Sequence, residues 1–226
     1  MALNRAMLVL CVATALLAGC KREQAQDEQP ASPTEAPVVD AAPQPAPQAA
    51  PAAQPAAVAF DIGKIARSDK PLGAWPYVIL PAGYVYERAD DLAARSKDLA
   101  RVPVWTGGEL LWLEGRVFTD EIDAQDGKTY SQFEVRKNLR QALETLGAVR
   151  VAERSFDEAV RGGNERDIAA FLNEFGEMYY PYQADQDAET WVIRGADKAV
   201  WVVFHSGNND GSLMVVEAPL PEAPAQ

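Results

Sequence analysis

Reactive side chains are scarce in this sequence. Two cysteines and one histidine occur in 226 residues. That excludes a disulfide scaffold and most zinc sites, which need several such ligands. Positive charge is also short: 21 Lys and Arg stand against 33 Asp and Glu, for a formal charge of -12. A nucleic-acid binder of the usual basic kind is therefore excluded. No apolar run reaches the length of a membrane-spanning helix, and no aromatic residue precedes Phe60. What is present is ordinary for a folded soluble domain, with 48% apolar, 24% charged and 8% aromatic residues.

Arg5 and the apolar run from Ala6 to Leu17 have the charge and length of a signal-peptide core. The run ends Leu17-Ala18-Gly19-Cys20, which resembles the bacterial lipobox. The resemblance implies a lipoprotein signal peptide over residues 1-19 and cleavage before Cys20. It also implies diacylglycerol on the Cys20 sulfur and a fatty acid on the new amino terminus. The alternative is an ordinary signal peptide that happens to end in Cys. Lys21 follows the cysteine. By resemblance to Gram-negative lipoproteins, a residue other than Asp there implies export to the outer membrane, facing the periplasm. Cys11 leaves with the leader and acylation consumes Cys20, so the folded part is expected to lack thiols, which suits an oxidising compartment.

Residues 20-58 form the lipidated Cys and a tether of Ala, Pro and Gln. Eight of the sixteen prolines fall between Gln24 and Val58. Such a composition buries too little surface to offset the entropy of ordering, which predicts disorder. Fully extended, such a tether reaches on the order of 120 Å. A single α+β domain is expected over 59-219, large enough for a real core. Residues 220-226 return to Pro and Ala and read as a loose tail.

Within the domain, Tyr77 to Leu80, set between Pro76 and Pro81, predicts a short edge strand. Asp91 to Ala100 reads as a short helix. Leu110 to Phe118 predicts the longest strand, with Leu111, Leu113 and Val117 on one face. Ser131 to Leu146 predicts a helix. Ser131 and Glu134 form a capping-box pattern, Val135, Leu139, Ala142, Leu143 and Leu146 form the apolar stripe, and Gly147 stops it. The stripe is expected to pack on the face carrying Leu111, Leu113 and Val117. Arg140 and Glu144 lie off it and are expected to matter little. A strand begins at Val149. A second helix runs from Asn164 to Phe175, ended by Gly176. Three strands, Thr190–Arg194, Ala199–Phe204 and Ser212–Val216, make an antiparallel meander. The predicted class is α+β: an antiparallel-rich β-sheet with two main helices packed on one face.

Several segments together look like a known module. They are Phe60-Asp-Ile-Gly63, Leu72-Gly-Ala-Trp-Pro-Tyr-Val-Ile-Leu-Pro-Ala-Gly-Tyr84, Leu113-Glu-Gly-Arg-Val117, Leu146-Gly-Ala-Val149 and Ser212-Leu-Met-Val-Val-Glu217. Their order and spacing resemble the uncharacterised N-terminal module of OmpA-family Gram-negative lipoproteins. In those proteins a peptidoglycan-binding domain follows. No such domain is expected in the residues up to Gln226, so peptidoglycan anchoring is not expected to carry over, and the module itself transfers no function.

Chemistry-bearing patterns are few. Ser206, Asn208, Asp210 and Glu217 nearly match a twelve-residue calcium loop. Ser replaces the first Asp, however, and both flanks read as strands, so a Gly- and Asn-rich hairpin is the favoured reading and no metal is expected. His205 sits at a strand end without a nucleophile or an orienting partner in view. Gly162-Gly163 lacks the Lys-Ser or Lys-Thr that phosphate cradling needs. Asp90-Asp91, Asp120-Glu121, Asp123 with Asp126, and Asp185 with Asp187 are acid pairs. A glycosidase sets two such groups across a cleft, but a solvated acidic surface is the favoured reading. The five Trp residues read as core packing rather than a sugar platform.

These observations point to a non-enzymatic, outer-membrane-anchored periplasmic lipoprotein that presents a binding or envelope-accessory module. Its expected partners are the membrane, through the N-terminal lipid, and an envelope protein. No cofactor, nucleic acid or small-molecule substrate is expected. One alternative is an inhibitor or immunity-type lipoprotein whose acidic surface meets a basic envelope hydrolase. A weaker one is an envelope hydrolase using a carboxylate pair.

Overall fold

Short runs of β-branched and aromatic residues between glycine-rich turns give this chain its sheet. The computed structural model describes residues 59–175 and 187–220. The leader, Cys20, the whole tether, Gly176, Asp185 and the tail beyond Leu220 lie outside the described residues. The strands are β1 (Tyr84–Tyr86), β2 (Ser96–Trp105), β3 (Leu110–Ala124), β4 (Val149–Ala152), β5 (Ala188–Arg194), β6 (Lys198–Ser206) and β7 (Gly211–Pro219). The α-helices are α1 (Gln132–Thr145), α2 (Glu158–Gly163) and α3 (Glu165–Glu174).

The sheet runs β1-β3-β7-β6-β5-β4, with β2 also paired to β3, and every strand pair is antiparallel. Fifteen-residue β3 makes this possible. One of its edges takes β2 along Leu110–Phe118 and β1 along Ile122–Ala124, while the other takes β7. The class is α+β with an antiparallel-rich sheet, and the C-terminal meander lies where its short strands and tight turns predict.

The two main helices do not share a face. Ala199, Trp201 and Val203 of β6 point into one core with Ile168 and Phe171 of α3. Val200, Val202 and Phe204 point into the other with Val135, Leu139 and Leu143 of α1. Successive strand side chains alternate between faces, so an unbroken apolar run such as Ala199–Phe204 requires cover on both sides. Leu111, Leu113 and Val117 accordingly lie on the α3 side, and α1 packs instead on Phe118, Ile122, Leu213 and Val215.

Two local expectations are also revised. Asp91–Ala100 is not a helix. Turn hydrogen bonds stop after Ser96, and β2 then pairs with β3 from Ser96 onward, with a register shift between Lys97 and Ala100. Strand pairing overrides the helix propensity of Ala93, Ala94 and Arg95. Tyr77–Leu80 is not a strand either. The Trp75–Pro76 bond is cis and Tyr77 has φ 72°, which closes a turn through the Tyr77 N–H to the Ala74 carbonyl at 2.7 Å.

The segment leading into the domain crosses from one face to the other. Phe60 packs on Trp201, with ring centroids 5.4 Å apart, on the α3 side. The Arg194 guanidinium donates to the Gly63 and Ile65 carbonyls at 2.9 and 3.0 Å. The Ser68 N–H donates to the Arg194 carbonyl at 2.8 Å, and the Ser68 hydroxyl to the Leu146 carbonyl at 2.8 Å. From there residues 69–83 run as an irregular strap beside α1.

Candidate functional site

The start of α1 follows from its capping residues. The Ser131 side chain accepts the Glu134 N–H at 3.3 Å, as the capping pattern predicts. Glu134 does not reach back to Ser131 itself. The Tyr84 hydroxyl takes that place, accepting the Ser131 N–H at 3.1 Å and donating to the Glu134 carboxylate at 3.0 Å. Strand β1 is thereby tied to the helix. Val135, Leu139 and Leu143 are buried, while Phe133, Lys137, Gln141, Glu144 and Thr145 are exposed.

The strap is held down at several points. The Trp75 indole N–H donates to the Ser96 hydroxyl at 3.0 Å, and the Arg116 guanidinium lies 4.3 Å from the Trp75 ring centre. The Tyr77 hydroxyl donates to Glu217, which Lys198 also holds at 2.7 Å. Burial, and then the bond to Glu217, push the Tyr77 hydroxyl above its ordinary pKa. Burial opposes ionisation of Glu217, but the hydrogen bonds from Lys198 and Tyr77 outweigh it and hold the carboxyl below its ordinary value. Tyr77 keeps its positive φ because both its backbone and its hydroxyl are bonded. A non-glycine residue in that region stores strain of order 1–3 kcal/mol and persists only where its surroundings over-determine it.

Between strap and helix lies a groove of about 520 Å³. Pro71, Leu72, Gly73, Tyr77 and Ile79 form one wall; Asn138, Gln141, Ala142, Thr145 and Leu146 form the other. Val78 turns inward and is buried, while Ile79 turns outward and is 82% exposed. Phe133 stands on the same helix at 76% exposed. A volume of this size with apolar walls and a few polar groups is what binding pockets have in common. Nothing in the pattern around Tyr77–Leu80 marked this groove. Phe133, however, is legible as an aromatic on the polar side of an amphipathic helix.

The chemistry-bearing residues singled out in the sequence are dispersed. Ser206 pairs with Gly211 across the β6–β7 hairpin, and Asn208 and Asp210 lie in its turn. Glu217 is six residues along β7, paired with Arg116 and roughly 20 Å from the turn at strand rise. The calcium-loop spacing therefore does not gather its ligands, and among the described residues no group of three or more acidic, His or Cys side chains is arranged for a metal. Among the described residues, His205 Nδ1 meets the Asp187 carbonyl, at 3.3 Å. Asp120 is fully buried, 3.4 Å from Arg95, and accepts the Arg88 and Glu121 N–H groups. Burial raises its pKa, against those hydrogen bonds. Asp123 is raised by burial and then by Glu87 and Asp210, but lies on the opposite face of β3 from Asp120. The two carboxyls share no cleft. Trp191 and Trp201 are core residues, while Trp112 lies under Arg101, 4.3 Å away.

One cluster was not anticipated. Glu189 of β5 is 3% exposed and takes both oxygens to Arg140 Nε, at 2.9 and 3.1 Å. The Trp191 indole donates to it at 3.1 Å, and Arg136 and Arg150 stand 3.9 and 3.8 Å away. Arg140 is therefore a structural partner of a buried charge rather than a dispensable surface group.

Compared with known proteins, the chain matches no protein-family model and no curated protein.

Proposed function

We propose that this chain is an outer-membrane-anchored periplasmic lipoprotein whose folded module is a non-enzymatic binding or envelope-accessory unit, working through the α1–strap face. The observation that carries the binding part is the groove between the strap and α1, with the exposed Ile79 on its wall. Large apolar side chains held outward next to a recess mark interaction surfaces. The anchoring part is supported by the lipobox-like Leu17-Ala18-Gly19-Cys20. Several acyl chains at about 0.8 kcal/mol per buried CH₂ give stable attachment. No helix among the described residues is long and apolar enough to cross a membrane.

The test has two arms. Cys20→Ser should move the protein from the membrane pellet to the soluble periplasmic fraction; unchanged sedimentation with outer membranes contradicts the anchor. Chemical cross-linking in intact envelopes should give a discrete adduct that Ile79→Asp abolishes and Glu158→Ala, in exposed α2, leaves intact. Equal loss from both variants, or from neither, contradicts the binding face. Ile79 is exposed, so its replacement should leave the thermal unfolding midpoint nearly unchanged.

A further inference from the structure

No charged side chain lines the groove between the strap and α1. In a chain with 24% charged residues that is a selective composition, and two adjoining recesses show the contrast. One shares Gln141 and is lined by Arg136, Lys137, Arg140 and Glu144. The other shares Leu72 and is lined by Lys70, Asp197 and Lys198. Pro71, Leu72, Tyr77, Ile79, Ala142 and Leu146 give the groove its apolar walls. Its helical wall is one flank of α1, because Asn138 with Ala142, and Gln141 with Thr145, recur at four residues.

The polar groups of the groove are few and neutral. The Tyr77 hydroxyl is taken up by Glu217, and the Thr145 hydroxyl donates to the Gln141 carbonyl at 2.8 Å. The Asn138 and Gln141 side-chain amides have no hydrogen-bond partner among the described residues, so both remain able to donate and accept.

These features select the chemistry of the occupant. Burying a charge without a counter-charge is costly, so the fitting ligand is an apolar body with an uncharged, hydrogen-bonding head. The common peptide modes fit poorly. Strand addition needs a sheet edge, which neither a helix nor an irregular strap presents. Polyproline docking needs an aromatic-lined groove, and Tyr77 is the one aromatic in this lining. Phosphopeptides need Arg. An amphipathic helix needs continuous apolar walls, whereas three of the five residues on the helical wall are polar. Volume decides the number of hydrocarbon chains. A methylene takes up about as much room as a water molecule in the liquid, about 30 Å³. A groove of about 520 Å³ therefore holds one chain of lipid length and not two.

We infer that the groove binds the hydrocarbon chain of a single-chain, uncharged amphiphile shed by the membrane, of the monoacylglycerol class, an inference that rests on the reading of the α1–strap face as a binding surface. The chain lies along Leu72, Ile79, Ala142 and Leu146, and the Asn138 and Gln141 amides hold the head. The tether expected over residues 20–58, reaching on the order of 120 Å when extended, keeps the groove within range of the bilayer that supplies the ligand.

Isothermal titration calorimetry on the full-length Cys20→Ser chain tests this, with 1-octanol, 1-decanol, 1-dodecanol and the matching alkanoates as probes. Affinity for the alkanols should rise with chain length, by about fourfold per methylene at full burial and about twofold where one side stays open to water. Each alkanol should bind about tenfold tighter than its alkanoate, because the lining offers the carboxylate no cation. Ile79→Asp should weaken alkanol binding by about tenfold, with the unfolding midpoint nearly unchanged. Phe133→Asp, on the opposite flank of α1, should leave binding intact. Thr145→Lys should narrow the gap between alkanol and alkanoate several-fold, a change of selectivity that a loss of folding does not produce. Affinity indifferent to chain length, alkanoates that match the alkanols, or alkanol binding that Ile79→Asp leaves intact overturns the inference. No alkanol binding, while intact envelopes still give the Ile79-dependent adduct, overturns the lipid occupant but leaves the binding face standing. Loss of both removes both.

Discussion

Replacing Arg140 with Ala removes the closest partner of a buried carboxylate. Glu189 is 3% exposed, and Arg140 Nε grips both of its oxygens at 2.9 and 3.1 Å. Removing one partner of a buried ion pair typically costs about 3–5 kcal/mol, because the remaining charge is left uncompensated. Here the remainder is less exposed to that penalty. Trp191 still donates at 3.1 Å, and Arg136 and Arg150, at 3.9 and 3.8 Å, can close in. A cost of about 2 kcal/mol is therefore expected, out of the 5–15 kcal/mol typical of a domain. With a urea slope of about 1–3 kcal/mol per molar, the midpoint should fall by roughly 1 M. Lys137→Ala, exposed on the same helix, is the control and should stay within about 0.5 kcal/mol. Glu189→Gln in the Arg140→Ala background removes the stranded charge, so the double variant should be more stable than the sum of the singles predicts, by about 1 kcal/mol or more. If Arg140→Ala matches Lys137→Ala, or the cycle is additive, the reasoning fails.

Leu139→Ala empties a fully buried position under α1 and should cost about 2–5 kcal/mol in urea unfolding, through lost burial plus the cavity left behind. Glu217→Gln should destabilise the domain at neutral pH by about 1–2 kcal/mol. The carboxyl is held below its ordinary value of 4.5 in the folded state, so its contribution is present above that value and is lost as pH falls through the lower folded pKa. The gap between Glu217→Gln and the parent in unfolding midpoint should thus narrow in acid; a gap that widens below pH 4.5 contradicts the assignment.

What could be read from the sequence was local. The stripe of Val135, Leu139 and Leu143, the cap at Ser131 and the β5–β6–β7 meander all follow from spacing within a dozen residues. What was misread depends on distant pairing. Ala93 to Ser96 carry helix-forming residues, yet the following segment is claimed by β3 across the hairpin at Gly107. The sidedness of the helices was available in principle, because Ala199–Phe204 has no polar residue to face water on either side. The calcium-like spacing from Ser206 to Glu217 failed for the opposite reason: a strand stretches ligands apart that a helix-flanked loop would gather. The groove and the Glu189 cluster had no short-range signal. Arg140 meets Glu189 from 49 residues away, and the wall at Leu72 and Ile79 meets α1 because Ser68, Trp75 and Tyr77 pin the strap to Arg194, Leu146, Ser96 and Glu217. Phe133 was the one visible clue, an aromatic about two positions off the buried stripe of its own helix.

The most direct test of the binding face is site-specific photo-cross-linking in intact envelopes. A photoreactive side chain at Ile79 or Gln141 should capture one discrete product, whereas the same side chain at Glu158, in exposed α2, should capture none. Equal labelling at all three positions, or labelling at Glu158 alone, contradicts the assignment of the α1–strap face as the working surface of this protein.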